Sequence, residues 1–574
     1  MIAKASAATA CLVAILLAAA PAAQAEAPSF ESFVKGYYAA EFAAHPVSAT
    51  RAGIHDYDSR VDDLSAEGHA RDMARLHAAL RALAAISPKG LSDEDRDDRE
   101  VLIGTIKGAL LDGETIQYWR KDPGRYARVA TAAVFELVHR DFAPAAERLR
   151  SAIAREKLIP GLLAAGKANL QHPPKAFVEI ALRNLAGSIN FFKNAAPTAF
   201  AAVEDAGLRA EFAATNDAAV AAFEDYRTFL QGALATADGQ FALGPKLFVE
   251  RLSDNEMVDL PVPKLREIAL KRLHDDQAAL KAAATLVDPG KPVDAVVAEI
   301  RREHPTAETL LATADDDLTG LRAFVVDHQI ATIPGDLLPK VEETPGFQRA
   351  TTSAAMDWPG PYEQHATQAF YYVSPPDDGL PPEKLEDYLR AYYYPGLDIT
   401  SVHEVWPGHF MQYLSRRAHS EWSLARQLAH AQSTTEGWAH YTEQMMVEEG
   451  LGNGDPKLKL AQIEEALLRD CRFISSLAMH TQGKSVEDAT QIFMKECGSP
   501  EPEARREAYR GTSDPGYLNY TVGKLEILKL REDYQKKMGA KFSLTDFHDR
   551  FLAAGLVPVK MIRRELMGKD GKLL

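Results

Sequence analysis

The segment Val402-His403-Glu404-Val405-Trp406-Pro407-Gly408-His409-Phe410-Met411-Gln412 decides how the rest of the chain reads. Helix-forming residues lead into it and out of it, and a proline-glycine pair interrupts it. Two imidazoles flank a carboxylate, and another carboxylate follows in Thr434-Thr435-Glu436-Gly437-Trp438-Ala439-His440-Tyr441. Hydrolytic zinc sites typically take three protein ligands from His and Glu and leave a fourth position for water, whose pKa falls to about 7. A neighbouring Glu that is not a ligand can accept that water's proton. The residue chemistry therefore assigns His403, His409 and Glu436 as ligands of Zn2+ and Glu404 as the general base. His440 and Glu443 share a helical face with Glu436 and are rival ligands.

The spacing resists a regular helix. In the His-Glu-x-x-His signature the histidines are four apart, on one face. Here they are six apart, which at about 100° per residue leaves the second imidazole about 120° off that face. Pro407 also lacks the amide that would bond the His403 carbonyl. Either a bulge or broken turn at Pro407-Gly408 absorbs two residues, or the histidines serve different purposes.

Outward from this segment the chain reads as mainly α. Between about Phe30 and Ala331 it is rich in Ala, Leu, Glu, Arg and Lys, with apolar residues recurring at three and four. Leu76, Ala79, Leu80, Leu83 and Ala84 form one stripe, ended by Ser87-Pro88. Leu182, Leu185, Ile189 and Phe192 belong to another. Aromatic residues, prolines and glycines concentrate between about Glu342 and Leu397, and the strands are expected there. Phe370–Val373 is aromatic and β-branched and is stopped by Pro375-Pro376, which predicts an edge strand or short hairpin. An exposed edge there could pair with an extended peptide, the alternative being a hairpin packed on the core, and Tyr392, Tyr393 and Tyr394 either line the same cleft or fill hydrophobic space. Helical pattern returns in Ile463–Met479 and Lys524–Tyr534. The expected organisation is a helical region over 26–340 and a catalytic region over 341–574, in one continuous body.

The 574 residues carry 81 Asp+Glu against 65 Lys+Arg, a formal charge of −16. Such a surplus repels phosphate backbones and anionic lipid, and no basic patch offsets it, so nucleic acid is not an expected partner. The first residues have Lys4, an apolar run from about Ala7 to Ala20, Pro21 and the small-x-small triplet Ala23-Gln24-Ala25. That pattern reads as a signal peptide over 1–25, cleaved before Glu26. The mature chain is then periplasmic or secreted, with no stable membrane insertion. Cys11 lies inside the apolar run, where a lipoprotein cysteine would follow it. Cys471 and Cys497 remain, either paired or buried and free.

Together these stretches resemble the bacterial family called domain of unknown function 885, grouped with zincin-like metallopeptidases. The resemblance runs from His45-Pro46-Val47-Ser48-Ala49-Thr50-Arg51-Ala52-Gly53-Ile54-His55-Asp56-Tyr57 nearly to the end. It is most specific at His403–His409, at Glu436–Ala439, at His480, and at Pro-Gly…Tyr-x-x-Gly…Leu-Arg across Pro515–Arg531. Phe410, where a second His is common, and Tyr517, in place of a frequent Gln, depart from the pattern. The resemblance implies a large helical zincin-like body with a small β element near the active site, one zinc, and hydrolysis of a peptide or related amide. In that setting His480 and Tyr520 become candidates to face the zinc and support an oxyanion. Arg510 and Arg531, and more weakly Arg472, become candidates for a substrate carboxylate. The expected function is an exported zinc-dependent peptidase. The alternatives are another amide hydrolase on the same site and a catalytically silent peptide-binding protein.

Overall fold

Serine and aspartate side chains open many helices by accepting otherwise unbonded first-turn amides. Ser65 caps Ala66–Ala85 and Ser92 caps Asp93–Leu110. Ser485 and Asp488 exchange bonds in a capping box before Val486–Glu496. In this computed structural model, which describes residues 29–349, 352–377 and 379–574, helices predominate from end to end. The expected signal segment lies outside the described residues. The two apolar stripes face inward: Leu76, Leu83, Leu185, Ile189 and Phe192 are all buried. Each such side chain contributes about 1.5–3 kcal/mol on leaving water.

The helices around the site are α1 (Val262–Val287), α2 (Tyr394–Glu404), α3 (His409–Ala418), α4 (Gln432–Glu448), α5 (Pro456–Gln482), α6 (Glu501–Ser513) and α7 (Asn519–Met538). The helical pattern read from Ile463 onward belongs to α5, which begins before it. Asp455 accepts the Lys457 amide and Pro456 takes the first helical position, so the helix starts a full two turns earlier. One apolar core is built from residues between Tyr126 and Leu230. A second runs from Leu310 to Leu573 and encloses Trp406 and Trp438. A third joins Leu273 on α1 and Val296 to Leu467 on α5 and Phe493, so the stretches on either side of residue 340 share a core.

Three short strands form one sheet: β1 (Lys340–Glu343), β2 (Ala354–Asp357) and β3 (Phe370–Val373), in the order β1-β3-β2. β1 runs parallel to β3, and β2 antiparallel to it with Ala354 opposite Val373. The expectation that Phe370–Val373 is an edge strand is thereby corrected. β3 is central and all four of its residues are buried, because a strand apolar on both faces gains most where neighbours cover it on every side. The edges fall to Lys340–Glu343, which is charged and mostly exposed, and to Ala354–Asp357. Tyr392 and Tyr393 are buried and only Tyr394, at 46% exposure, reaches the surface, so the three do not line one cleft together.

Cys471 on α5 is joined to Cys497, which ends the helix Val486–Glu496, by a disulfide spanning 26 positions. Closing a loop of that size is worth about 3 kcal/mol in the chain-entropy account. Cys497→Ser should lower unfolding stability by about 2–4 kcal/mol in denaturant titrations under oxidising conditions; equal midpoints for the two proteins would show that the bond constrains nothing. Among the described residues, no helix is long and apolar enough to cross a membrane.

Candidate metal centre

The interruption predicted at Pro407-Gly408 is a clean break between helices. α2 stops at Glu404 and α3 begins at His409, so His403 sits in the last turn of one helix and His409 opens the next. Gly408 packs so closely under α2 that a Cβ there would lie 1.7 Å from the His403 carbonyl oxygen. Trp438 on α4 donates from its indole to the Pro407 carbonyl at 2.8 Å and ties the break to the helix that carries Glu436. With the chain turned this way, residues six apart can face one point.

They do so. Nε2 of His403 and Nε2 of His409 lie 3.5 and 3.4 Å from Oε2 of Glu436. One ligand atom from each of the three residues falls within 4.8 Å of the others. The two imidazoles stand edge to face, with centroids 4.9 Å apart. Behind them, His403 Nδ1 meets Glu443 Oε1 at 2.7 Å and His409 Nδ1 meets Gln412 Oε1 at 3.1 Å. Oxygen acceptors there hold the proton on Nδ1 and turn each Nε2 lone pair toward the common point. Glu436 Oε2 is buried with no hydrogen-bond partner among the described residues.

Carboxylates and imidazoles set each other's charge in the cluster. Burial opposes charging His403, yet the carboxylates of Glu436 and Glu443 outweigh it and hold the imidazole up at about 9. Burial likewise opposes ionising Glu436, and the two imidazoles nevertheless hold it well below the usual carboxylate range. Two nitrogens and an unbonded carboxylate oxygen suit a divalent ion of borderline softness such as zinc.

The rival ligands stand behind the site. Glu443 bridges His403 and His440, whose Nδ1 lies 2.9 Å from Glu443 Oε2. Burial and the ammonium of Lys524 push His440 down to about 3, so it stays neutral. Partners of this kind typically contribute 10–100-fold to metal affinity. Glu443→Gln should weaken zinc binding by about that factor in competition with a chelator; an unaltered affinity would remove Glu443 from the site.

Glycines bring the last elements in. α4 and α7 cross so tightly that a Cβ on Gly523 would lie 1.8 Å from the Ser433 carbonyl oxygen, and one on Gly437 would lie 2.6 Å from the Gly523 backbone. Glu436 precedes one of these glycines and Tyr520 stands one turn before the other, so the crossing sets Tyr520 beside the cluster. The Tyr520 ring stacks on His403 at 6.1 Å between centroids, and its hydroxyl accepts from Arg510 at 3.1 Å. Burial pushes the phenol up to about 12.

Glu404 is buried, lines the cavity above the cluster, and makes no hydrogen bond to any described residue. That cavity measures about 990 Å³ and is bordered by all of β2, by Trp358 and by Tyr520. The Trp358 ring lies 6.2 Å from that of His409.

His480 is not brought to this site. Its Nε2 donates to the Gly511 carbonyl at 2.8 Å, and its ring packs between Phe241 and Phe248. The expectation that it supports an oxyanion is corrected: its only ring hydrogen is committed to a backbone oxygen, which a neutral imidazole pushed down to about 4 by burial cannot duplicate on Nδ1. Arg531 is likewise elsewhere, donating to the Tyr441 hydroxyl at 3.2 Å. Arg510 and Arg472 do line the cavity.

Sequence reasoning missed Gln412, although its position three residues after His409 on one helical face was a usable signal. It also missed Glu256, whose carboxylate accepts the Gln432 and Ser433 amides at 3.1 and 2.9 Å and so fixes the start of α4. No local signal links residues 176 positions apart.

Two solved structures share this architecture. One, "a putative lipoprotein of unknown function from Shewanella oneidensis", is 25% identical, with a TM-score of 0.78 over 95% of this chain and 100% of that one. The other, "the putative lipoprotein from Colwellia psychrerythraea", is 19% identical, with a TM-score of 0.79 over 94% and 98% of the two chains. No curated protein matches the sequence. The cluster at His403, His409 and Glu436 and the glycine crossing fall within residues 46–566, which match the family described as "Bacterial protein of unknown function (DUF885)", and the chain belongs to that family.

Proposed function

We propose that the protein is an exported zinc-dependent hydrolase that cleaves peptide bonds, with a zincin-like helical body. The observation that carries this reading is the convergence of His403, His409 and Glu436 on one point, with an unbonded Glu404 beside them in a large cavity. Zinc held by three such ligands acidifies a water and polarises a carbonyl. In this reading Glu404 takes the proton from the attacking water on its carboxylate and returns it to the departing amine nitrogen. The Tyr520 hydroxyl accepts from Arg510, which leaves its own hydrogen free for the developing oxyanion. Tyr520→Phe should lower turnover by about 10²–10³ with zinc content unchanged; undiminished turnover would refute the role.

A peptide suits the cavity because β2 is hydrogen-bonded on one side only and all of its residues line the wall. An extended chain laid along that edge gains backbone bonds whatever its side chains. Export is supported by the signal-like first residues and by the Cys471–Cys497 disulfide, a bond that persists in oxidising compartments. The test is elemental analysis of the purified protein together with digestion of a peptide library, with and without chelator. Stoichiometric zinc and chelator-sensitive cleavage are expected. Zinc-loaded protein that holds peptides without cleaving them would favour the silent binding protein, and cleavage confined to non-peptide amides would favour the second hydrolase reading.

A further inference from the structure

Most of the arginines that line the cavity, Arg469 among them, hold a carboxylate. Arg472 grips Glu507 at 2.7 and 3.0 Å, Arg510 meets Asp514 at 3.3 Å and Arg128 meets Asp122 at 2.6 Å. Arg506, on α6, lends its charge to Glu507. Among the described residues, no carboxylate lies within 4 Å of the guanidinium of Arg51, Arg416 or Arg506; the charge of Arg51 reaches Asp357 as that of Arg506 reaches Glu507, and only Arg416 has no acid among the groups that act on it. In a chain with a surplus of 16 negative charges, cavity arginines without an ion-pair partner call for a ligand, and Arg51 and Arg416 lie together beyond the end of β2.

Arg416 is the more telling of the two. One of its terminal nitrogens reaches the Ala429 carbonyl at 3.3 Å, while its Nε is buried with no partner. Burial pulls its pKa down to about 10, and only the phenols of Tyr362 and Tyr38 work against that. Arg472, which is buried, is instead held above its ordinary value by Glu507. Arg416 is half-buried, and a guanidinium partly withdrawn from water without a counter-charge is fitted in shape and charge by a bidentate carboxylate.

The position is as informative as the charge. Beyond β2 the chain passes Trp358, against His409, and reaches Gly360. There it packs on the helix Pro46–Ala52 so closely that a Cβ would lie 2.2 Å from the Arg51 carbonyl oxygen. Tyr362, beside Arg416, donates its amide to the Ala52 carbonyl at 2.9 Å. His430 lines the same cavity and feels the charges of both groups, Arg416 and Arg51 on one hand and Glu436 and His409 on the other. A peptide lying along β2 and over the cluster thus runs toward Arg51 and Arg416.

We propose that Arg51 and Arg416 form a carboxylate-binding subsite that selects substrates bearing an acidic group a short distance from the scissile bond, either the chain's own carboxyl terminus or an Asp or Glu side chain. This rests on the peptide-hydrolase reading for the identity of the ligand, but its test is a binding measurement. The probes are acetyl-pentaalanine with a free carboxylate, the same peptide as its amide, and amides carrying one Glu at each position in turn. They are titrated calorimetrically into zinc-loaded Glu404→Gln protein.

At least one acidic probe should bind about tenfold or more tighter than the neutral amide, as a charge-assisted hydrogen bond warrants. A preference for the free acid assigns the chain terminus, and one for a Glu-bearing amide assigns a side chain. Adding Arg51→Gln or Arg416→Gln should bring that ratio close to one at unchanged zinc content. Arg51 is exposed on the cavity wall, so its variant carries the test if the Arg416 variant does not fold. Equal affinity for all probes, or a preference that survives both substitutions, overturns the subsite. It leaves the hydrolase reading intact, which fails separately if the unaltered protein cleaves nothing.

Discussion

Glu404→Gln is expected to retain zinc and lose about 10²–10⁴-fold in turnover, whereas Glu436→Ala should lose the zinc itself. The contrast follows from where the two carboxylates point. Glu436 Oε2 lies between two Nε2 atoms with no other partner, so its removal leaves two ligands and an incomplete site. Glu404 bonds to no described residue and lines the cavity. Exchanging its carboxylate for an amide keeps size and shape while removing the proton acceptor, and general-base catalysis is worth the stated factor. The measurement is metal content and turnover on both variants. The opposite pattern, zinc lost from the Gln variant and kept by the Ala variant, would overturn the assigned roles.

Gly523→Ala should destabilise the protein by about 3 kcal/mol or more and reduce zinc occupancy together with activity. In a helix interior exposed to water, Gly→Ala ordinarily stabilises by about 1 kcal/mol. Gly320, exposed on the helix Leu310–Asp327 with nothing within 4 Å of a built Cβ, should show that gain and serves as the control. At Gly523 the sign reverses, because a methyl group 1.8 Å from the Ser433 carbonyl oxygen forces two backbones apart, with no flexible side chain to yield. Overpacking typically costs 1–3 kcal/mol, and a backbone clash lies at the upper end. Separating α4 from α7 also moves Glu436 and Tyr520, which their flanking glycines hold against the site. Matching unfolding midpoints for the Gly523 variant and the unaltered protein would show that the crossing is looser than its geometry.

The helical body was legible because its signals are local. Apolar recurrence at three and four marked Leu76–Leu83 and Leu185–Phe192, and proline punctuation marked many of the ends. The misreadings have one cause, which is that the deciding partner lay far away. Phe370–Val373 read as a strand from its own composition, but its central place depended on β1 and β2, at 340–343 and 354–357. His480 carried the right context and the wrong neighbours: Gly511 takes its hydrogen and Phe241 and Phe248 take its ring.

For the site, residue type and spacing in the one-dimensional chain were sufficient to single out His403, Glu404, His409 and Glu436 as candidates, since they limit which groups can bind a metal or move a proton, and the family resemblance added Tyr520. It also showed that no unbroken helix could serve them, because the angle per residue and the missing proline amide are properties of the backbone. Only the folded arrangement decided that Glu443 and His440 stand behind His403, that Gln412 orients His409, and that among the described residues no carboxylate lies within 4 Å of Arg51 or Arg416. Those outcomes depend on which distant surfaces come within hydrogen-bonding or Coulombic reach, and that distance is set by packing, at glycine contacts such as Gly437 on Gly523, between segments that do not adjoin in sequence.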